Sequence, residues 1–411
     1  MNGFFAGPTR RGVLGLAAGA VGELAAPALA RAQGSLKPIR ISIGRQPWAA
    51  GNSPVTQYMM NDKLFEKHAA EAGYALTADY RDYPSALPMV EAIIGGNLDL
   101  GMWGNTPIIR VIAVKQPISM LVVGEGHLRF LICMKDNSPI RNVADLKGKV
   151  VGALLGGDPY NALTQILRYQ LGSPDPRASD IRVVNTASQA QAAMVPAGMD
   201  ASVVTYPGFL PAQAMGTTAI VNSFGYTEAH YKGSLGTGAG ILIPSVKKSP
   251  FYPDGFYLHR SFWVVRDAVL EKDPKLVTAF VIAQQEAISA LTKMDPGAVS
   301  QLVKAYWKLP PELGAKVVKD ELLFKRGWAW PTEGDARAVV QTSRFMADSK
   351  QIELPLTWDQ VKGAFIKAAP LMKEAYQQMG SQPAASVFME SGASDLRGAP
   401  VWEMDKWTDR S

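Results

Sequence analysis

The sequence predicts an α/β protein with two lobes, and three patterns along the chain support this prediction. Short β-rich runs alternate with segments of helical period from residue 38 to residue 123, which is typical of βαβ units and a mostly parallel sheet. The same alternation begins again at Phe130 and continues to about residue 221. From Asp273 onward nearly every segment has helical period. We therefore expect two α/β lobes, with the late helices packed on the first.

The elements of the first lobe follow from this alternation. Strands are predicted at 38–44, 76–83, 98–102 and 118–123. A helix is expected to begin at Ser53, with this serine as N-cap and Pro54 at the first helical position, and to run to Glu71. Further helices are predicted at 85–94 and 106–114.

The second lobe repeats the pattern. Strands are predicted at 130–135, 150–154, 181–185 and 201–205. Asp158 is expected to cap a helix that runs to Leu171, and shorter helical segments are predicted at 142–148 and 188–195. Residues 222–257 are rich in Gly, Pro, Ser and Tyr, so they are predicted to form a loop or insertion.

The last part of the chain is predicted to be mostly helical. A strand at 261–265 is followed by helices at 274–293, 296–308, 311–323, 333–349 and 357–378. Residues 381–411 lose the helical period, and we predict that they form a tail.

The N-terminus has the pattern of a bacterial export signal. Arg10 and Arg11 precede a short Gly/Ala-rich apolar stretch, and small residues around Ala30 offer two cleavage sites. The paired arginines resemble the twin-arginine type, although Val13 stands where that motif often has Phe, so Sec export is the alternative. We expect residues 1–32 to be removed. Because no cysteine for lipid attachment follows the signal, we expect a soluble periplasmic protein.

Composition and motifs exclude several classes of protein. With 47% hydrophobic and 19% charged residues, the 411-residue chain is typical of a globular protein. Its net charge of +6 is spread along the chain and gives no sign of nucleic-acid binding. The single cysteine, Cys133, lies in an apolar run and is predicted to be buried. The four histidines lack metal-ligand spacing, and no catalytic or phosphate-binding motif occurs, so no cofactor is expected.

Four short segments occur in a fixed order along the exported part of the chain. They are Gly95-Gly96-Asn97-Leu98-Asp99-Leu100-Gly101, Gly104-Asn105-Thr106-Pro107, the run from Ser138 to Val151, and Gly198-Met199-Asp200-Ala201 with Pro207 downstream. Together they resemble the periplasmic substrate-binding proteins of the nitrate, taurine and alkanesulfonate ABC importers. The resemblance covers about residues 38–375.

This resemblance implies a two-lobe fold of the type II periplasmic-binding-protein kind, with a hinge and with extra C-terminal helices on lobe one. Lobe one would comprise 38–128 and 258–380, and lobe two 129–221. A member of this family would bind a small anionic organic solute. It would deliver the solute, as a monomer, to an ABC permease in the inner membrane with its ATPase.

Candidate ligand-binding residues follow from where such folds bind ligands. The site lies beyond the carboxyl ends of the strands, near helix N-termini whose free N–H groups suit an anion. The candidates on these loops are Arg45, Trp48, Trp103, Gly104, Asn105, Thr106, His127, Gly157, Asp158, Tyr160, Asn161 and Tyr206. Structural roles remain alternatives, since Asn105 and Thr106 are natural helix caps and Arg45 could be a solvated loop residue.

The candidates also suggest the chemistry of the ligand. Arg45 could hold an acid group bidentately. Four aromatic residues would cover a flat or bulky apolar body: Trp48, Trp103, Tyr160 and Tyr206. We therefore expect an aromatic or bulky carboxylate or sulfonate rather than nitrate. Asp158, where relatives often have Ser or Thr, would repel an anion unless it caps a helix or pairs with a cation, so an amine-bearing acid is a variant of this hypothesis.

Two other functions remain alternatives to solute binding. One is an enzyme on the same scaffold, either desulfinase-like or similar to a thiamine-pyrimidine synthase. The other is a ligand-sensing partner of a membrane receptor. Because Cys133 is in the middle of an apolar strand and the cysteine-rich signature of the synthase is absent, we expect a binding protein and not an enzyme.

Overall fold

The computed structural model of the protein describes residues 36–126, 129–206, 208–213, 215–222, 228–231, 240–243, 259–379 and 398–408. These residues form two mixed five-stranded sheets with helices around them, one sheet in each lobe. The chain enters lobe two after Gly126 and has returned to lobe one at His259. The predicted two-lobe α/β fold is thereby confirmed. The predicted export signal lies outside the described residues.

The strands are numbered along the chain. They are β1 (Lys37–Arg45), β2 (Tyr74–Asp82), β3 (Leu100–Gly104), β4 (Ile118–Glu125), β5 (Arg129–Lys135), β6 (Val150–Ala153), β7 (Arg182–Asn185), β8 (Ala201–Tyr206), β9 (Thr217–Asn222), β10 (Glu228–Tyr231), β11 (Gly240–Ile243) and β12 (Ser261–Arg266).

The two large sheets are built alike. In lobe one the strand order is β2-β1-β3-β12-β4, and in lobe two it is β7-β6-β8-β5-β9. The fourth strand of each sheet, β12 or β5, runs antiparallel to its neighbours. Because β12 is antiparallel, its first residue lies at the same edge of the sheet as the last residues of β3 and β4. Three chain segments therefore meet at the edge that faces lobe two.

The α-helices are also numbered along the chain. They are α1 (Asn52–Asn61), α2 (Leu64–Glu71), α3 (Ala86–Ile94), α4 (Asn105–Ala113), α5 (Asp158–Leu171), α6 (Gln189–Ala193), α7 (Phe209–Gln213), α8 (Asp267–Lys272), α9 (Pro274–Leu291), α10 (Pro296–Gln301), α11 (Lys304–Trp307), α12 (Pro311–Asp320), α13 (Leu322–Arg326), α14 (Glu333–Asp348), α15 (Trp358–Ile366) and α16 (Ala369–Gln378). None of the described helices is long and apolar enough to cross a membrane.

Strand β5 shows how the core is divided. Because side chains alternate along a strand, Phe130, Ile132 and Met134 pack in the core of lobe two. Leu131 and Cys133 point the other way and belong to the larger core that continues into lobe one. The two lobes therefore share one apolar layer, which holds them close together. Burying this layer favours contact between the lobes.

Local backbone geometry shortens some of the predicted helices. The helix expected from Ser53 to Glu71 is instead two helices, because Lys63 takes a left-handed conformation (φ 50°) between α1 and α2. Ser53 is not the N-cap of α1, since Gly51 takes that position and the Ser53 hydroxyl donates to the Pro47 carbonyl. Three later predicted helices, 296–308, 311–323 and 357–378, are likewise each divided in two.

Two segments expected to be irregular contain ordered structure. Within the predicted insertion, β10 and β11 pair as a two-stranded antiparallel sheet. Within the predicted tail, residues 398–408 pack on lobe one: Pro400 forms a β-bridge with Thr332, and the Trp402 ring lies 4.8 Å from that of Tyr376. Residues 398–408 are therefore part of lobe one.

Candidate ligand-binding cleft

A cavity of about 250 Å³ lies between the lobes, beyond the carboxyl ends of their parallel strands. Lobe one contributes the β1–α1 loop, the start of α3, the end of β4 and the start of β12. Lobe two contributes the loops that follow β6 and β7. The polar lining side chains are Gln46, Trp48, Ser85, Glu125, Asp158, Asn185, Thr186, Gln189, Thr205, His259 and Ser261. Its position matches the place where folds of this kind bind ligands.

The lobe-one wall of the cavity contains a row of residues from three adjacent strands. Ser261, the first residue of β12, pairs with Gly104 on β3 and with Glu125 on β4. Neighbouring strands are about 4.8 Å apart, so this row spans roughly 10 Å. All three residues line the cavity. The row fixes Glu125 relative to the loop where α4 begins.

Asp158 joins the two lobes at this point. Its Oδ1 accepts a hydrogen bond of 2.9 Å from the backbone N–H of Thr106 in the first turn of α4. Its Oδ2 lies 3.7 Å from Nε2 of His259. Asp158 therefore caps a helix of lobe one, whereas the sequence predicted that it would cap its own helix. The N-cap position of α5 belongs to Gly157.

Gly104 makes this contact possible. A Cβ atom on Gly104 would lie 2.0 Å from Asp158 Oδ2 and 2.7 Å from His259 Nε2. No side chain fits there while Asp158 caps α4. The sequence indicated Gly104 as a cleft residue, and the structure explains why it is glycine.

Further hydrogen bonds between the lobes surround Asp158. Asn161 Nδ2 donates to the Thr106 hydroxyl over 3.3 Å, and Asn161 Oδ1 accepts from Gln351 Nε2 over 3.2 Å. At the far end of α5, Arg168 forms an ion pair with Asp348 of α14. Helix α5 is thus held against lobe one along its length. In this structure the cleft is closed on that side.

Glu125 is a buried acid at the wall of the cavity. Only 1% of its surface is exposed. Its Oε1 accepts hydrogen bonds from the backbone N–H groups of Ala50 (2.7 Å) and Gly51 (3.4 Å). Burial, and next the charge of Glu321, outweigh these bonds and raise the pKa of Glu125 from 4.5 to about 8. Near neutral pH its carboxyl group therefore carries a proton.

The proton on Glu125 should make the free energy of unfolding depend on pH when no ligand is bound. Above pH 4.5 the unfolded chain loses the proton while the folded protein keeps it up to about pH 8, so stability falls as pH rises through this window. Glu125→Gln keeps the shape and an acceptor for Ala50 but cannot ionise. We expect its stability advantage over wild type to grow with pH, by up to about 1.4 kcal/mol per unit. Urea unfolding at pH 5, 6, 7 and 8 tests this, and a constant difference would contradict it.

The structure brings some predicted site residues together at the cavity. Trp48, Gly104, Gly157 and Asp158 line it. A second group supports this wall from behind: Asn105, Thr106 and Asn161, all of which are buried. Asn105, for example, donates from Nδ2 to the Thr342 hydroxyl over 3.1 Å. These three residues position the cavity wall.

Arg45 differs from the expectation and does not line the cavity. It is 5% exposed, and its guanidinium pairs with Asp82. It also contacts Tyr306, whose ring centre lies 5.2 Å from the guanidinium carbon. Because Arg45 and Asp82 end two paired parallel strands, β1 and β2, they meet at the sheet edge. The positive charge of Arg45 is therefore paired with Asp82 within lobe one and does not face the cavity.

Three of the four aromatic residues expected at the cleft are also placed elsewhere. Trp103 is fully buried in β3, opposite Phe262 of β12. Tyr206 is buried in the apolar layer between the lobes, and Tyr160 packs against the core of lobe two. His127 lies outside the described residues. Among the described aromatic candidates, Trp48 is the one whose side chain lines the cavity.

The sequence did not indicate Glu125, His259 or Ser261 as ligand-binding residues. Residues 125–127, after the strand predicted at 118–123, are expected on a cleft loop, but His127 was the candidate chosen from them. His259 precedes the strand predicted at 261–265, and Ser261 is the first residue of that strand. These two residues could have been predicted at the cleft, because an antiparallel strand brings its first residue to the sheet edge where the parallel strands end.

Cys133 is not part of the cleft. The side chain is fully buried in β5, and its Sγ lies 3.4 Å from the Ser202 carbonyl. Burial raises the pKa of its thiol to about 12. A thiolate nucleophile needs the opposite environment. Since Cys133 is the single cysteine of the chain, a cysteine-dependent reaction at the cleft has no nucleophile.

Comparison with known proteins identifies the family. The family model described as NMT1/THI5 like matches residues 76–297, which is more than half of the chain and includes strands of both lobes. The chain belongs to the NMT1/THI5-like family. A putative aliphatic sulfonates-binding protein of Escherichia coli strain K12 is 29% identical over 161 residues, 39% of this chain and 48% of that protein. This NMT1/THI5-like chain therefore matches about half the length of that curated relative.

Solved structures share the fold of this NMT1/THI5-like protein. The alkanesulfonate-binding protein SsuA of Xanthomonas axonopodis pv. citri, bound to MOPS, superposes with a TM-score of 0.57 at 17% identity, covering 80% of this chain and 98% of that one. The periplasmic nitrate-binding protein NrtA of Synechocystis PCC 6803 gives 0.53 at 12% identity, covering 88% and 92%. These matches confirm the predicted fold and the resemblance to nitrate- and sulfonate-binding proteins.

An enzyme has the same fold. The desulfurization enzyme DSZB superposes with a TM-score of 0.51 at 16% identity, covering 82% of this chain and 99% of that one. The fold alone therefore does not separate binding proteins from enzymes. The burial of Cys133 argues against cysteine-dependent chemistry in this chain.

Proposed function

We propose that this NMT1/THI5-like protein is a periplasmic solute-binding protein that delivers a small organic acid to an ABC permease. The observation that carries the proposal is the cavity between the lobes, which takes its lining from both. A ligand held there joins the lobes and favours their closure. A permease can then distinguish the closed, loaded protein from the open one.

The lining favours an organic molecule over a small inorganic ion. Besides Trp48, apolar side chains cover much of the wall: Pro84, Leu87, Pro88, Met102, Leu154, Leu155 and Pro159. Such a wall suits a carbon skeleton. For the acid group, we infer a position on the lobe-two side, near the N-terminus of α5 and the hydroxyl of Thr186. That hydroxyl is buried and has no hydrogen-bond partner among the described residues.

A thermal-shift screen tests this proposal. The exported protein is heated with nitrate, with alkanesulfonates and with aromatic carboxylates. A ligand at one hundred times its Kd adds about 2.7 kcal/mol to the free energy of unfolding. We expect at least one organic acid, and not nitrate, to raise the melting temperature. Stabilisation by nitrate alone would contradict the proposed solute class.

A blocking variant tests where the solute binds. Ala187 is exposed and lines the cavity from lobe two, so Ala187→Trp places a large side chain at the opening of the cavity. We expect this variant to lose the ligand-induced shift. Ala144→Trp, on an exposed turn of lobe two outside the cavity lining, is the control. Equal shifts in both variants would place the solute elsewhere.

A further inference from the structure

A second cavity lies between the lobes beside the first, and we call it the side chamber. Its volume is about 240 Å³. Lobe one contributes Trp48 and residues 306–308 at the end of α11, and lobe two contributes parts of α6 and α7. Trp48 and Gln189 line both the side chamber and the first cavity. The two spaces therefore meet at these two side chains, one from each lobe.

The wall of the side chamber is mostly apolar. Its apolar side chains include Ala193, Met194, Pro211, Met215, Tyr306 and Trp307. Methionine adapts its shape to its neighbours, and aromatic rings provide large apolar surfaces. Among the described residues that line the chamber, Lys308 is the one with a charge, and it is exposed to solvent. Such a wall suits a hydrocarbon or aromatic group better than an ionised one.

Exposed apolar side chains are concentrated at the two cavities. Among the described residues, ten large apolar side chains are exposed, and five of these line one cavity or the other. The five are Leu87 and Leu155 at the first cavity and Met194, Met215 and Tyr306 at the side chamber. Exposed apolar surface that is gathered in one place marks a binding surface. A molecule that covers all five side chains has to extend from one cavity into the other.

The side chamber also contains a buried hydrogen-bond donor. Trp307 is 4% exposed and lines the chamber, and its Nε1–H forms no hydrogen bond with any described residue. An indole N–H can donate but cannot accept. Because an unpaired buried donor is unfavourable, we expect an acceptor atom of a ligand or of water beside it. The chamber therefore favours an apolar group that carries an oxygen acceptor.

The ion pair of Arg45 and Asp82 holds one wall of the side chamber in place. The Tyr306 hydroxyl donates to Asp82 Oδ2 over 3.2 Å, and it accepts from Arg45 Nη2 over 2.5 Å. The guanidinium carbon of Arg45 lies 5.2 Å from the centre of the Tyr306 ring. Since both hydrogen bonds fix the hydroxyl, the ring keeps its position in the wall. Arg45 thus positions the side chamber, although it lines neither cavity.

We propose that the side chamber binds the apolar tail of the solute, so that the solute spans both cavities. The inference rests on the proposed function, because the acid group stays in the first cavity. It narrows the solute class to organic acids with a long apolar tail. The tail passes between Trp48 and Gln189, and an oxygen atom near its end accepts from Trp307 Nε1. A tail in this position contacts both lobes, so it favours their closure.

The test uses two series of acids in which the tail alone changes. One series is ethane-, butane- and octane-1-sulfonate, and the other is benzoate, 4-propylbenzoate and 4-hexylbenzoate. Calorimetry gives the Kd of each acid. Each methylene group that becomes buried should lower Kd about threefold to fourfold. We therefore expect the affinity of the wild-type protein to rise up to the longest member in at least one series.

Blocking variants assign this gain to the side chamber. Ala190 is exposed on α6 and lines the side chamber but not the first cavity, so Ala190→Trp fills the chamber from lobe two. We expect the ratio of Kd between the shortest and the longest member to fall at least about tenfold, as several methylene groups lose their burial. Ala187→Trp, which blocks the first cavity, should weaken every member. Ala144→Trp lies outside both cavities and should retain the wild-type ratio.

A further variant tests the hydrogen bond to the tail. 4-(5-Oxohexyl)benzoate has the length of 4-hexylbenzoate and exchanges one methylene for a carbonyl group, and 7-oxooctane-1-sulfonate relates to octane-1-sulfonate in the same way. In wild type the ketone should bind at least as tightly as its alkyl partner, because Trp307 donates to it. In Trp307→Phe the ketone should bind about threefold to tenfold more weakly than the alkyl partner, since its oxygen has lost the donor.

The outcomes distinguish the inference from the proposed function. If the short acids bind but a longer tail brings no gain, or if the gain persists in Ala190→Trp, the inference is overturned and the organic-acid function stands. The same preference between ketone and alkyl partner in Trp307→Phe as in wild type would overturn the acceptor position of the tail. Failure of every acid in both series to bind wild type would contradict the proposed solute class and, with it, the inference.

Discussion

Replacing Asp335 with alanine is expected to lower the free energy of unfolding by about 3–5 kcal/mol, because it removes a buried anion that pairs with two buried cations. The Asp335 carboxylate is completely buried. It accepts hydrogen bonds from Arg260 Nε over 2.8 Å and from both terminal nitrogens of Arg326 over 3.0 Å. Arg260 is also fully buried, so this ion pair is screened from bulk water.

The loss should also disturb the connection between the lobes. Arg260 Nη1 donates to the carbonyl of Gly126 over 2.6 Å, and Arg260 itself lies where the chain returns to lobe one. The Asp335–Arg260–Arg326 cluster therefore fixes both points at which the chain enters and leaves lobe two. We expect the variant to unfold at lower temperature and to show a larger radius of gyration in solution scattering.

The stabilisation that Asp335 provides should decrease at acid pH. Burial alone would raise the pKa of Asp335, but Arg326 and Arg260 outweigh burial and hold the pKa below its usual value of 3.8. The stabilisation is therefore present above that value and is lost as the pH falls below it. The control is Asp320→Ala, which removes a partly exposed ion pair with Lys316 and should cost about 1 kcal/mol or less. Similar losses in both variants would contradict the role given to Asp335.

The architecture could be predicted because it depends on local patterns. Alternation in β5 places Phe130 and Leu131 on opposite faces, and the return of the alternation at β5 marks the second lobe. Such patterns repeat over many residues, so one misplaced boundary does not change the fold class. The resemblance to nitrate-, taurine- and alkanesulfonate-binding proteins has a different basis, namely four short sequence segments in a fixed order.

The site could be predicted only in part, because its chemistry depends on contacts between distant segments. An Asp before a helix is normally a cap for that helix, yet Asp158 caps α4 in the other lobe, since Gly157 takes the N-cap position of α5. An Arg at a strand end suits an anion site, yet the parallel pairing of β1 and β2 places Asp82 beside Arg45. Contacts between distant segments, more than local propensity, determine the partners of charged side chains such as Asp158 and Arg45.

Replacing Gly104 with alanine is expected to abolish solute binding by forcing the lobes apart. Gly104 has extended backbone angles (φ −78°, ψ 179°) that any residue can adopt, so the effect is steric. The added methyl carbon would lie 2.0 Å from Asp158 Oδ2 and 2.7 Å from His259 Nε2. The shortest of these contacts is to a carboxylate held by Thr106 N, so Asp158 must leave its position and α5 must move with it.

The substitution removes the hydrogen bond from Thr106 to the charged Asp158 carboxylate, and the added methyl group overpacks the row between β3 and β12. Together these two effects should cost about 1–3 kcal/mol of stability. Solution scattering should show a larger radius of gyration than wild type, and calorimetry with the best organic acid of the screen should show no binding. Gly363→Ala is the control. Gly363 lies in α15 and does not line the cavity, and a Cβ there would meet nothing within 4 Å, so binding and radius should be unchanged. A Gly104→Ala protein with wild-type radius and affinity would show that the Asp158–Thr106 contact is not needed for closure, because the added methyl group cannot coexist with it.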